Sequence, residues 1–266
     1  MATIPGYSYA AHAITGAREN QEDACRFAEV DRQGTIRLSA HGGGQRGATL
    51  LAVLADGMGG HAGGAEASEA ACAGFAAAFA TSEGGLSARL AGALDAANRA
   101  ILAALEGDRA LAGMGSTLVA AAFTPEGMAW VSVGDSPLFL FRDQKLYQLN
   151  EDHSLAPVLD GLAARGEISR EEAQAHPRRH FLRAALTGGL IELVDLRQTM
   201  LRLRAGDWVV LASDGVESLS HEELADAMAA AVRGTAEEMV AAVLAAVEAK
   251  GEAAQDNATV MGVRVG

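Results

Sequence analysis

The stretch STLVAAAFTPEGMAWVSVGDSPLFLFRDQKLYQL, residues 116–149, decides the architecture. It breaks into short β-prone runs, Ser116 to Phe123, Met128 to Val133, Pro137 to Phe141 and Lys145 to Leu149, parted by Pro-Glu-Gly, Gly-Asp-Ser and Arg-Asp-Gln turns. Turns this short leave no room for crossover helices, so the run reads as an antiparallel meander and not as a βαβ series. Upstream the period changes. From Ala65 to Glu83 and from Leu86 to Gly107 the chain is Ala-rich, with Leu, Phe and Ile at three- and four-residue spacing, as in helices with one buried face. Ser-Glu-Gly-Gly between them is a turn, so the two helices form an antiparallel pair.

Downstream, Glu151 to Leu190 carries no comparable strand signal and reads as an excursion from the core. Its Ser169-x-x-Glu172 is a capping box that starts a short helix ended before Pro177. A strand resumes at Trp208 to Ala212, helices follow at Glu222 to Val232 and Thr235 to Ala249, and Thr259 to Val265 is a last strand. Without repeats or low-complexity linkers, residues 1–266 read as a single domain of helices packed on antiparallel sheets.

Half the residues are apolar but only 5% are aromatic, so Ala, Val and Leu must supply most of the core. The formal net charge of -13 argues against a nucleic-acid partner, whose affinity comes from Lys and Arg displacing counterions. The one basic knot, Arg178 and Arg179, suits the edge of a substrate site better than a groove binder. Cys25 and Cys72 lack CxxC or zinc spacing and read as buried, reduced thiols. The first residues have no charged start followed by an apolar run, and no stretch reaches membrane-spanning length without Gly or charge, so the expected location is the cytoplasm.

Three times an apolar strand stops at an aspartate beside a glycine: LLAVLA before Asp56-Gly57, WVSV before Gly134-Asp135, and VVLAS before Asp214-Gly215. One Asp-Gly alone reads as a hairpin turn. Repetition points elsewhere, and a fourth carboxylate, Asp256, precedes the last strand. If that strand runs antiparallel to the others, its start lies where they finish. Glu22 and Asp23 could add carboxylates from an early loop with Arg18 nearby, or could simply be a solvated charged turn. Clustered carboxylates raise one another's pKa and call for a cation. Oxygen donors without cysteine point to Mn²⁺ or Mg²⁺.

In order, Arg18-x-x-x-Glu22-Asp23, Ala55-Asp56-Gly57-Met58-Gly59-Gly60-His61, Gly115-Ser116-Thr117-Leu118, Val133-Gly134-Asp135-Ser136, Asp152-His153-Ser154, Ala212-Ser213-Asp214-Gly215 and Asp256-Asn257-Ala-Thr-Val resemble the motifs of the metal-dependent (PPM, type 2C) protein serine/threonine phosphatases in their bacterial form. The resemblance implies an α+β, four-layer α-β-β-α sandwich, two antiparallel sheets flanked by helix pairs, with a flap at about 151–190. It implies that Asp56 bridges a pair of metals, that Gly57 offers its carbonyl, and that Asp214 and Asp256 complete the first metal. Glu22 would hold the second, with Asp23 orienting that shell. Asp135 with Asp214 would form a third, weaker site, and Arg18 would bind the phosphate. The implied reaction is direct attack on phosphoserine or phosphothreonine by a metal-bridging hydroxide. The implied partners are phosphorylated proteins, substrates of a Ser/Thr kinase, met by a monomer.

The sequence departs from the family at Pro137, where an Arg is usual, and at Arg183-Ala184, where Thr and Arg are usual, which bears on flap packing and substrate choice. Two other functions compete: hydrolysis of small phosphoesters, and an inactive phosphoprotein-binding module, although every expected metal carboxylate is present. His61, leaving the metal site on a glycine-rich turn, reads either as a turn-lining residue or as a general acid for the departing alkoxide. His41 to Gly47 formally contains GxGxxG, but a strand follows it, so it reads as a hairpin loop without a phosphate-binding helix. His12, His176, His180 and His221 read as surface residues, and His153 as a brace at the start of the excursion.

Overall fold

The computed structural model describes residues 6–31, 33–39, 41–43, 48–59 and 63–266. Their strands form two antiparallel sheets. The first contains β1 (Tyr7–Ile14), β4 (His41–Gly43), β9 (Leu138–Arg142), β10 (Lys145–Gln148), β12 (Trp208–Ala212) and β13 (Ala258–Val265), in the order β10-β9-β12-β13-β1-β4. The second contains β2 (Asp23–Val30), β3 (Ile36–Ser39), β5 (Thr49–Met58), β7 (Leu118–Thr124), β8 (Gly127–Val133) and β11 (Asp195–Leu196), in the order β11-β8-β7-β5-β2-β3. The short β6 (Gly115–Ser116) pairs with the end of β5.

Alternation along the strands sends one set of side chains between the sheets and the other outward. Phe27, Leu54, Phe123, Val209 and Met261 are buried between the sheets. On the outer face of the second sheet, α1 (Gly63–Thr81) and α2 (Leu86–Gly107) bury Phe75, Phe79, Leu90 and Ile101. α5 (His221–Ala231) and α6 (Ala236–Lys250) cover the first sheet with Met228, Met239, Val243 and Val247. Each helix needs one apolar face only, which an Ala-rich sequence supplies, whereas central strands such as β7, β8 and β12 are buried on both faces. Small residues also let α1 and α2 approach closely: a Cβ on Gly74 would meet Ala100 Cβ at 2.9 Å. The four layers are those expected.

The meander is corrected in one respect. β7 pairs with β8 and β9 with β10, but β8 and β9 lie in different sheets, so Gly134-Asp135-Ser136 is a crossover between sheets and not a hairpin turn. A hairpin and a crossover demand the same turn residues, so the sequence pattern does not separate them. Gly134 takes φ +102, and a Cβ there would come within 2.7 Å of Thr117. A second correction concerns His41 to Gly43, which is an edge strand on β1, the rest of that loop lying outside the described residues. Cys72 is buried and donates to the Ala24 carbonyl at 3.3 Å, whereas Cys25 is only partly buried.

In the excursion, α4 (Arg170–Gln174) begins at Ser169 with both capping-box bonds formed, as expected. A helix not foreseen, α3 (Ala156–Ala164), precedes it. Arg179 grips Asp160 with two bonds of 2.8 Å and ties the later part of the excursion back to α3, while Arg178 lies over the Phe181 ring at 5.9 Å. His153 braces the start of the excursion: its backbone N–H donates to the Gly134 carbonyl at 3.1 Å, and the Gly134 N–H donates to its ring.

Candidate metal centre

Strand register delivers the carboxylates to one edge of the sandwich. Asp23 begins β2 directly opposite Asp56 near the end of β5. β12 ends at Ala212 opposite Val260, so Asp214, two residues on, lies beside Asp256, two residues before β13. Ile14 pairs with Ala258, which brings the loop holding Arg18 and Glu22 to the same place. Asp135 arrives on the crossover from β8. Arg18, Glu22, Asp56, Asp135, Asp214 and Asp256 line one cleft of about 740 Å³. Arg18 is ion-paired with Asp256.

Backbone contacts make this edge tight. The Gly57 N–H donates to the Glu22 carbonyl at 3.1 Å, and a Cβ on Gly57 would stand 1.9 Å from the Gly64 carbonyl oxygen. A Cβ on Gly64 would in turn meet the Glu22 carboxylate at 2.8 Å. Gly215 is confined the same way, 1.9 Å from the Asn257 carbonyl. Any side chain at Gly57 or Gly215 would drive apart segments that carry carboxylates. Asn257 closes the arrangement: its amide donates to Thr15 O at 2.8 Å and Asn20 O at 3.0 Å, and its Oδ1 accepts from the Glu22 N–H at 2.8 Å. The Thr117 hydroxyl accepts from the Asp56 N–H at 3.0 Å and sits 2.7 Å from Ser136 Oγ, linking β5, β7 and the crossover.

Electrostatics is dominated by burial and like charge. Desolvation followed by repulsion from Asp214, Asp23 and Asp135 holds Asp56 well above the carboxylate range. Asp135 is pushed up to about 8, first by burial and then by Asp214, Glu217 and Asp152. Asp23 is pushed up to about 6, chiefly by burial. Its Oδ2 accepts from Ser213 at 2.8 Å and Thr259 at 2.7 Å, while its buried Oδ1 has no partner.

Among the described residues no three His, Cys, Asp or Glu side chains approach one point closely enough to hold an ion as they stand. The donor set nonetheless fits a hard divalent cation: all ligand candidates are oxygens, their mutual repulsion calls for positive charge, and Asp23 leaves an unpaired buried oxygen. His61 lies outside the described residues.

These shifts set a pH dependence. A carboxyl whose folded pKa exceeds its unfolded value of 3.8 binds its proton more tightly when folded. The stability it adds is complete below that value and is lost as pH rises through the folded pKa, about 6 for Asp23 and about 8 for Asp135. Glu223, lowered to about 2 by the Ser220 N–H and Lys250, acts only at lower pH, because its stability is lost as pH falls. In chelator, Tm is therefore expected to fall between about pH 5 and about pH 8.5, with Mn²⁺ restoring more at the higher pH. A Tm that rises across this window in chelator would remove the buried carboxylates as its cause.

Three residues in or beside the cleft are not among the expected site residues. His180, read as a surface residue, is exposed but lines the cleft beside Asp214, and Arg183 lines it from the exit of the excursion. Arg183 is held there by its N–H, which donates to the His153 carbonyl at 2.8 Å. Glu217 follows Asp214 on a 3-10 turn, at a spacing of three that could have been noticed as the same face.

The residues 32–255 match the family model for Protein phosphatase 2C. The serine/threonine protein phosphatase PstP of Mycobacterium tuberculosis is 39% identical over 205 residues, which is 76% of this chain and 38% of that protein. The chain thus spans well under half the length of that relative. A crystal structure of the M. tuberculosis phosphatase PstP/Ppp has a TM-score of 0.76 at 33% identity, covering 97% of this chain and 98% of that one. The PstP catalytic domain in complex with two manganese ions has a TM-score of 0.73 at 32% identity, covering 98% and 99%. The chain belongs to the protein phosphatase 2C family.

Proposed function

We propose that this protein removes phosphate from phosphoserine and phosphothreonine in proteins, at the cleft where Arg18, Glu22, Asp56, Asp135, Asp214 and Asp256 meet. The observation that carries this reading is the register that gathers aspartates from five separate segments at one edge, beside an arginine. Asp56, Asp214 and Asp256 would hold one core ion, with Glu22 and the Gly57 carbonyl completing a second around Asp56, and Asp23 positioning the shell through its unpaired Oδ1. Asp135 with Asp214 would hold a third. Bound Mn²⁺ or Mg²⁺ supplies charge neutralisation and lowers the pKa of coordinated water.

The protein's own groups then have distinct tasks. Arg18 is more than half exposed and, among the described residues, paired only with Asp256, so its guanidinium can turn to two phosphate oxygens and align the ester for in-line displacement. Asn257 and Gly57 keep the Arg18–Glu22 loop against the sheet edge, which fixes where that guanidinium can reach. His61 would donate a proton to the leaving alkoxide. Neither cysteine is called upon as a nucleophile, and both thiols are raised, Cys25 to about 11, chiefly by burial.

A protein substrate is favoured over a small phosphoester by the rim: Phe181, 58% exposed, stands at the cleft where a peptide would lie. No described helix is long and apolar enough to cross a membrane. A cytoplasmic monomer opposing a Ser/Thr kinase is the setting this reading supplies. The test is turnover of phosphothreonine peptides against sugar phosphates and nucleotides at saturating Mn²⁺. The peptides are expected to have the highest kcat/KM; a clear preference for a sugar phosphate or nucleotide would replace the proposal with small-phosphoester hydrolysis.

A further inference from the structure

The excursion enters and leaves the sandwich through a narrow neck. The Leu155 N–H donates to the Phe181 carbonyl at 3.0 Å and the Arg183 N–H to the His153 carbonyl at 2.8 Å, with Ser154 bridged to Leu182 between them. Further along, Leu186 exchanges backbone bonds of 2.8 and 2.9 Å with Ser116, and the Asn98 amide holds Gly188 at 2.9 Å and Gly189 at 2.7 Å. The backbone that carries residues 181–189 is therefore fixed at both ends. Along it Leu182 is half-buried and Ala184 buried, whereas Phe181 and Arg183 are exposed. Alternation puts Phe181 and Arg183 on one face, and both line the cleft.

The arginines around the cleft differ in what they already hold. Arg18 is paired with Asp256, Arg179 with Asp160, and Arg178 lies over the Phe181 ring. Arg183 forms no side-chain hydrogen bond or ion pair among the described residues, and its backbone is the part that is held. In a chain of net charge -13, such an arginine at the mouth of a phosphate-ester site is open to an incoming anion. The carboxylates of the floor belong to the proposed ion set, so the excursion side is where the cleft offers positive charge to residues beside the ester. An aspartate or glutamate side chain matches a guanidinium, oxygen for N–H, in two parallel bonds. We infer that Arg183 is a specificity-determining residue that pairs with an acidic side chain flanking the phosphoserine or phosphothreonine of the substrate. It stands where the family usually has Thr, so the preference would belong to this chain and not to the fold. This rests on the phosphoprotein reading above and narrows its substrate class.

The experiment uses phosphothreonine peptides in which a single glutamate is placed in turn at each flanking position of an otherwise alanine-rich sequence, at saturating Mn²⁺. At a favoured position kcat/KM is expected to exceed that of the alanine peptide by roughly two- to fivefold, the scale of an exposed ion pair, through KM more than kcat. Added salt should shrink the gain. Arg183→Gln should erase the difference between the two peptides, and Arg183→Glu should reverse it, so that a lysine peptide is now preferred to a glutamate one. Both variants keep the N–H that bonds His153, and circular dichroism checks that they fold. Arg170→Gln, at the exposed start of α4 and outside the cleft lining, should keep the gain and so separate Arg183 from the general effect of positive charge on the excursion.

If the alanine peptide is turned over and no glutamate position is preferred, the role of Arg183 is wrong and the phosphoprotein reading stands. A glutamate preference that survives in both Arg183 variants, or vanishes equally in Arg170→Gln, also overturns it. A loss in Arg183→Gln that is equal for the glutamate peptide, the alanine peptide and p-nitrophenyl phosphate would make Arg183 a ligand of the phosphate and not a reader of the flanking residue. Turnover of p-nitrophenyl phosphate with no phosphopeptide accepted would sink the phosphoprotein reading and this inference together.

Discussion

Dialysis against excess chelator is expected to reduce phosphothreonine-peptide turnover to background, and Mn²⁺ or Mg²⁺ to restore it. The physical basis is the charge of the cleft. Asp23, Asp56, Asp135 and Asp214 are all raised by burial and by one another, and Arg18 is the cation paired within the cleft, through Asp256. A dianionic phosphate brought to such a wall meets repulsion that one guanidinium cannot offset. Positive charge must come with the ions, which bind only the folded cluster, so thermal stability should rise with metal as well. Full turnover in chelator after dialysis would refute metal dependence. A rise in stability without recovery of activity would place the ions elsewhere.

The second large effect is expected from Asp214→Asn. Asp214 starts the 3-10 turn after β12 and stands within reach of the charges of Asp56 and Asp256. The substitution keeps the shape and removes one negative charge, so folding should survive, with repulsion on Asp56 relieved. Turnover should fall by roughly 10²- to 10³-fold, the range for loss of one preorganised electrostatic contact. Circular dichroism and Tm in chelator check the fold, and initial rates across a Mn²⁺ titration check the site. A folded Asp214→Asn protein with near-normal turnover would remove Asp214 from the centre.

How much of this was legible in the sequence depends on the kind of signal. Asp56, Asp214 and Asp256 were found because each interrupts or precedes a continuous apolar run, and a buried strand end announces itself that way. The capping box at Ser169 and Glu172 is local chemistry and was equally readable. α3 was missed although Pro157 stands in its first turn, a helix-start signal that its brevity and internal Gly161 obscured. The early strands β1 to β3 mix buried and exposed residues without clean alternation, so periodicity alone did not delimit them. The sheet change at Gly134 was invisible because it is a property of two sheets, not of a turn. The same holds for His180 and Glu217, which are far apart in the chain and meet beside Asp214 only in the folded structure.

Whether these carboxylates form a divalent-metal centre can be measured directly. Calorimetric titration of Mn²⁺ into the metal-free protein measures it without reference to any substrate. Saturable binding of at least two ions per chain is expected, as in the PstP catalytic domain with two manganese ions, with proton release as the raised carboxyls ionise and weaker binding in Asp214→Asn. Binding that is absent, or that is identical in Asp214→Asn, would contradict the assignment of the cleft.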